Sequence, residues 1–186
     1  TFVLPVDNQG YSTVSVSVFV NGQAVNVTLL PYSYKLLQIQ LVQGENTITV
    51  GNENLIVVYN YSQSAVNPTA YINGSANVVT VNAKPGQALT FFVTANLPSQ
   101  NDYLSPLQPV TDMETGPQYS AYFSSIPTST NEIQYGVIVP QGIAQGLYTV
   151  YFPIQVWGVV KVNSTEYYKP VGFTWALAVI NVSYGI

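Results

Sequence analysis

The most regular alternation of apolar and polar positions runs from Tyr11 to Leu30, YSTVSVSVFVNGQAVNVTLL. Val14, Val16, Val18 and Val20 alternate with Ser15, Ser17 and Phe19, the period of a strand with one buried face. Asn21-Gly22 then predicts a type I′ turn, because both central positions of that turn need φ > 0. Folding about the turn sets Val18 opposite Val25, Val16 opposite Val27 and Val14 opposite Leu29. Ser15, Ser17, Asn26 and Thr28 fall on the opposite, polar face.

Further along, Leu37, Ile39 and Leu41 alternate with Gln38 and Gln40. After a turn at Gln43 to Asn46, Ile48 and Val50 begin a return, so a second pair of strands is expected. Asn52-Glu53-Asn54 leads into an apolar strand over Leu55 to Tyr61, and Ser62 to Thr69 reads as a connection. The body over 11–186 is therefore open to a division near 62–70. Strands are expected again at Val78 to Val81, Leu89 to Thr94, Tyr119 to Phe123, Ile133 to Val139, Val156 to Val162 and Val171 to Val182. Gly146-Leu147-Tyr148 opens another strand, in a manner common in immunoglobulin-like sandwiches, where such a Tyr packs and hydrogen-bonds its hydroxyl nearby. Between Leu97 and Pro117 the periodicity stops amid prolines and acids. Loops of that length are uncommon unless functional or mobile, and this one reads as a solvated excursion or a contact to a neighbouring subunit. About ten to twelve strands with no helical period indicate an all-β protein, with an immunoglobulin-like β-sandwich as the leading architecture. No internal repeat at a fixed period is apparent.

Composition narrows the function. Charged residues make up 6% of the chain against 47% hydrophobic, whereas a disordered chain combines low hydrophobicity with high charge. Eight carboxylates face four lysines, with a net charge of −4 and no histidine, so there is no basic footprint for nucleic acid. Few carboxylates also means few groups whose protonation unfolds the protein, and tolerance of acid is expected. The chain has no cysteine, hence no disulfide and no thiolate site. No run of about 20 apolar residues is present, so no membrane span is expected in the mature chain. A start at Thr1-Phe2-Val3 suggests that a signal segment has been removed.

Without His or Cys the usual nucleophile and base pairs cannot be built. Asp112 and Glu114 are the only close carboxylate pair, and they sit in the Pro-rich loop, the one candidate for a calcium site. A solvated surface accounts for them better, so no enzyme, metal or cofactor is expected. Lys35, Lys84, Lys161 and Lys169 read as ordinary surface lysines rather than isopeptide donors, since no acid is placed beside a Lys/Asn pair. The repeated chemical signal is Asn-x-Ser/Thr, at Asn26, Asn60, Asn73, Asn163 and Asn181. N-linked glycans are expected on most of these positions, where they would supply the hydration that so few charges cannot.

Ahead of the hairpin lies a tail, Thr1 to Gly10. Phe2, Leu4 and Val6 alternate with Val3 and Pro5, and Asp7-Asn8-Gln9-Gly10 reads as a polar hinge. Two readings are open: a first strand paired within its own domain, or a donor strand added to a sheet edge of the next subunit. In the second case Phe2, Leu4 and Val6 are the first-choice donor residues. Val14, Val16, Val18 and Val20 are the second choice, preferred if the Asn21-Gly22 turn is open.

The acidic, cysteine-free and histidine-free composition, the Tyr-, Val-, Asn- and Thr-rich body, the five sequons and the short apolar N-terminal strand together resemble the thread pilins of thermoacidophilic archaea. The resemblance implies a type I pilin-like sandwich with an N-terminal donor strand at 1–10 and a body at 11–186. It also implies identical subunits joined head-to-tail into a glycosylated extracellular filament at the cell surface, serving adhesion or cell contact. Two alternatives remain: a monomeric cell-surface or S-layer-associated carbohydrate-binding module, and a noncatalytic domain of a larger secreted enzyme.

Overall fold

The computed structural model describes residues 2–8, 11–31, 33–50, 53–60, 68–113 and 122–184. Among these the regular elements are all strands. The first six are β1 (Phe2–Asn8), β2 (Val14–Val20), β3 (Gln23–Leu29), β4 (Ser33–Ile39), β5 (Gly44–Val50) and β6 (Glu53–Asn60). Then come β7 (Ala70–Ile72), β8 (Ser75–Ala76), β9 (Val78–Ala83), β10 (Ala88–Ala95), β11 (Tyr103–Pro106) and β12 (Val110–Thr111). The last four are β13 (Tyr122–Ser129), β14 (Glu132–Ile138), β15 (Gly146–Val162) and β16 (Thr165–Val182). The chain forms two compact units, Thr1–Asn67 with Gln155–Phe173 and Pro68–Ile154 with Thr174–Ile186. The division thus falls between Asn67 and Pro68 and again inside β15 and β16.

In the first unit, β3, β2, β5 and β6 form one antiparallel sheet and β1 and β4 another. The β2–β3 hairpin has the register that the valine stripe dictates: Val18 faces Val25, Val16 faces Val27 and Val14 faces Leu29. Only part of the stripe is buried, because Val18, Val27 and Leu29 lie in the core while Val14 and Val25 are exposed. The expected pairing of the Leu37–Leu41 segment with Ile48 and Val50 does not occur. β4 instead pairs β1, and β5 pairs β2 and β6. Asn46, which is fully buried, shapes the connection between the two sheets. Its Oδ1 accepts from the Val42 N–H at 2.8 Å, and its Nδ2 donates to the Val42 and Gly44 carbonyls at 2.8 and 3.2 Å. A side-chain amide that satisfies a turn's backbone groups lets the chain leave one sheet for the other without burying unpaired groups.

In the second unit the sheets run β13-β14-β10-β7-β8 and β11-β15-β16-β9, with β12 also on β15. They face each other as a sandwich, since the Phe152 ring of β15 lies 4.3 Å from Tyr135 of β14 and 5.8 Å from Phe91 of β10, centroid to centroid. β9 joins the C-terminal part of β16 in parallel. The stretch from Leu97 to Pro117 is not a free excursion. It carries β11 and β12, and Leu104 and Met113 are buried. Thr111 Oγ1 donates to the Thr149 carbonyl at 2.7 Å, and Asp112 Oδ1 accepts the Thr149 N–H at 3.1 Å. Glu114 lies outside the described residues. At the β15 lead-in, Tyr148 donates its hydroxyl to the Ala144 carbonyl at 2.8 Å, as the Gly-x-Tyr motif predicts.

Superposed on this plan is a repeat without fixed period. Phe19-Val20-Asn21-Gly22-Gln23-Ala24 in the first unit matches Tyr71-Ile72-Asn73-Gly74-Ser75-Ala76 in the second. Each Asn-Gly forms a left-handed turn, with φ of 50° and 83° in one and 47° and 83° in the other. Phe19 faces Ala24 and Tyr71 faces Ala76. On the other flank, Val20 faces Ile48 and Phe19 faces Thr49, as Ile72 faces Val93 and Tyr71 faces Thr94. Each unit therefore contains the same Asn-Gly hairpin, docked in the same register on a third strand.

Candidate functional site

β1 is the element on which the assembly question turns. It is antiparallel to β4 over its whole length, from Phe2 opposite Ile39 to Asn8 opposite Ser33. Leu4 and Val6 are buried in the first unit's core, 2% and 4% exposed. Pro5 lies opposite Leu36 and has no N–H to give to a ladder. The expected polar hinge begins later than Asp7: Asp7 and Asn8 belong to the strand, and Gln9 and Gly10 lie outside the described residues. Asn8 is buried, and its Nδ2 donates to the carbonyls of Ser12 at 2.8 Å and of Leu29 and Leu30 at 3.2 Å. It pins the end of β1 to the loop before β2 and to the end of β3, a role that its place in a polar run had hidden. The β1–β4 sheet has no further strand among the described residues. β2, home of the second-choice donor residues, has neighbours on both sides, and its turn is closed.

The sequons fall at five distinct places. Asn26 is exposed on β3, and its Oδ1 accepts from Ser17 Oγ at 2.8 Å. Asn60 is the last residue of β6. Asn73 lies in the β7–β8 turn, exposed, with its Oδ1 on the Phe92 N–H at 2.9 Å. Asn163 is exposed in the β15–β16 turn with φ of 50°. Asn181 is exposed on β16, and its Nδ2 donates to Asn82 Oδ1 at 3.3 Å. Ser17 Oγ and the Phe92 N–H thus hold the oxygens of Asn26 and Asn73. Nδ2 is the atom that N-glycosylation would modify.

The four lysines are placed at or near the surface. Lys161 Nζ stands 3.7 Å from Glu166 Oε1, both well exposed, and Lys169 lies over the Tyr167 ring at 5.9 Å. Among the described residues no group of three or more His, Cys, Asp or Glu could hold a metal ion, and no helix is long and apolar enough to cross a membrane. Three tyrosines of the second unit titrate above their ordinary range. Burial alone raises Tyr135 and Tyr151; burial raises Tyr148 first, then Asp112 and Tyr184 nearby. All three are phenols held neutral, which suits packing rather than acid–base work. No protein-family model matches the chain, and no curated protein matches it either.

Proposed function

We propose that the chain is the structural subunit of a glycosylated extracellular filament, assembled head-to-tail by donor-strand complementation and serving adhesion or cell contact at the cell surface. The observation that carries this reading is β1. A seven-residue strand fills the core with Leu4 and Val6, yet among the described residues makes its ladder with β4 alone. Its place beside β4 fits any copy of the same segment. If β1 of one subunit takes that place in the next, the main-chain ladder gives affinity and the buried alternate side chains give specificity. Donor and acceptor are different surfaces, so the contact is heterologous and propagates without closing.

The absence of cysteine makes a direct test simple. Leu4 faces Leu37, and a Leu4→Cys/Leu37→Cys chain holds no competing thiol. After assembly and oxidation, a covalent ladder of multimers in denaturing gels is expected. Crosslinked monomer alone would mean that β1 stays in its own chain. Deletion of Thr1 to Gly10 should leave a monomer whose melting temperature rises when the corresponding peptide is added.

A second reading, a carbohydrate-binding module, draws on Tyr71 and Phe92, exposed by 38% and 44% on the outer face of one sheet. Flat aromatic faces suit stacking on sugar rings. Loss of glycan binding in Tyr71→Ala/Phe92→Ala would favour it.

A further inference from the structure

A filament built by strand addition must admit a strand at one edge and refuse it at every other. Open edges carry rows of unpaired N–H and C=O groups, and proteins guard them with charge, proline, bulges, short strands or a cover. The sheets of this chain can be compared on that criterion.

The β3-β2-β5-β6 sheet ends on β3 and β6. Asn26 sits on β3 and Asn60 closes β6, so each edge strand of this sheet carries a sequon. Ser17 of β2 holds the Asn26 oxygen. The β13-β14-β10-β7-β8 sheet ends on β13 and β8. β13 is interrupted by Pro127 and by a register shift between Pro127 and Ser129. β8 has two residues, and the Asn73 sequon lies in the turn that starts it. The Phe92 N–H of β10 holds the Asn73 oxygen. In the remaining large sheet, Asn163 marks the β15–β16 turn and Asn181 lies on β16 opposite Asn82 of β9, with Lys84 and Pro85 following β9.

The sheet of β1 and β4 carries no sequon on either strand, since neither Phe2–Asn8 nor Ser33–Ile39 contains an Asn-x-Ser/Thr. The repeated hairpin supplies an internal control. Asn21 and Asn73 occupy equivalent turns, but Asn21 is followed by Gly22-Gln23, which is no sequon, and its Nδ2 donates inward to Asn46 Oδ1 at 3.1 Å. The modifiable nitrogen is present at the turn beside the short edge strand and withheld at the other.

We infer that N-glycans at Asn26, Asn60 and Asn73 act as edge guards, closing the sheet edges on which they stand by bulk and leaving strand exchange with a second copy to edges without a glycan, β1–β4 among them. A neighbouring strand must come within about 4.8 Å to pair, and a glycan on the edge strand occupies that space. The inference rests on the filament reading for what the free edge does, but the guarding itself does not depend on it.

The test removes the sequons without touching the asparagines. Thr28→Val, Ser62→Ala and Ser75→Ala abolish the sites at Asn26, Asn60 and Asn73; Thr165→Val and Ser183→Ala abolish the other two as a control. Both chains are secreted from an N-glycosylating host beside the unaltered protein and weighed by mass spectrometry. The triple variant should lose three glycan masses and show laterally fused, sedimenting β-rich aggregates in electron micrographs. The control should keep the unaltered protein's width and solubility. Unmodified Asn26, Asn60 and Asn73 in the starting protein, or a triple variant no more aggregated than the control, would overturn the inference. The filament reading fails separately, on the Leu4/Leu37 crosslink: an unaltered protein that stays monomeric while the triple variant aggregates would keep the guards and discard the filament.

Discussion

Asn21 binds Thr47 twice: its backbone N–H donates to the Thr47 carbonyl at 2.8 Å, and its side-chain Oδ1 accepts the Thr47 N–H at 2.9 Å. Asn73 does the same to Phe92, with both distances at 2.9 Å. The side-chain carbonyl replaces a main-chain carbonyl that the turn has rotated out of the ladder. A turn residue thereby serves as one more rung of the sheet. Asparagine suits the position because it also tolerates the left-handed backbone better than other residues with a Cβ.

Two substitutions separate these roles. Asn21→Gly keeps the backbone conformation and loses both side-chain bonds, Oδ1 to the Thr47 N–H and Nδ2 to Asn46 Oδ1, at an expected cost of about 1–2 kcal/mol. Asn21→Ala loses the same bonds and also forces a Cβ into the left-handed region, for about 1 kcal/mol more. Urea unfolding of both variants checks the difference. Equal costs would mean that the turn's backbone carries no strain for alanine.

How much of this was legible follows from where the constraints lie. The β2–β3 register could be read because Asn21-Gly22 fixes it locally, and Tyr148 because its hydroxyl reaches only to Ala144. The partner of β4 could not, since Leu37 and Ile39 alternate whether they face β1 or β5, and Asn46 gives no sign in sequence that it will redirect the chain. β15 and β16 are apolar on both faces over much of their length, which removes the period from which bounds are drawn. The parallel β9–β16 pair joins segments far apart in sequence. Prolines around β11 and β12 masked two short strands, the second of which Thr149 secures. Of the candidate site, the Leu4 and Val6 alternation was visible, but the buried role of Asn8 was not.

Tyr135 offers a test of the core. Its hydroxyl is buried and meets no hydrogen-bond partner among the described residues, while its ring stacks on Phe152. A buried hydroxyl without a partner costs desolvation free energy. Tyr135→Phe is therefore expected to leave stability unchanged or raise it by about 1 kcal/mol, read from the denaturation midpoint. A clear loss would mean that the hydroxyl has a bound partner, such as an ordered water.

The same tyrosines set the alkaline limit. Burial raises the Tyr135 and Tyr151 phenols, so the folded state holds their protons more tightly than the unfolded chain does. Their contribution is complete below the unfolded value of about 10 and is lost as pH rises through and beyond it. The melting temperature should stay level towards neutral pH and fall from about pH 10 upward. The fall should be shallower in Tyr135→Phe, and an identical slope would exclude that phenol as a source.

Asn8 shows how β1 is held and how it could be released. Its Nδ2 faces the Ser12, Leu29 and Leu30 carbonyls, all acceptors, in a buried site. An ionised carboxylate there has no donor to give and sits against three carbonyl dipoles. Asn8→Asp should therefore cost about 3 kcal/mol at neutral pH, as expected when a charge is buried against acceptors. Asn8→Ala, which only loses the donor, should cost about 1–2 kcal/mol. The introduced acid would have its folded pKa raised above the ordinary carboxylate value of about 3.9 by burial and the carbonyls. With the pKa raised, its stabilising contribution is present at low pH and lost as pH rises. Asn8→Asp should thus regain stability in acid until it approaches Asn8→Ala, with β1 released at neutral pH and docked in acid. Melting both variants across this range checks it. A cost for Asn8→Asp that does not change with pH would mean that residue 8 faces solvent rather than the three carbonyls.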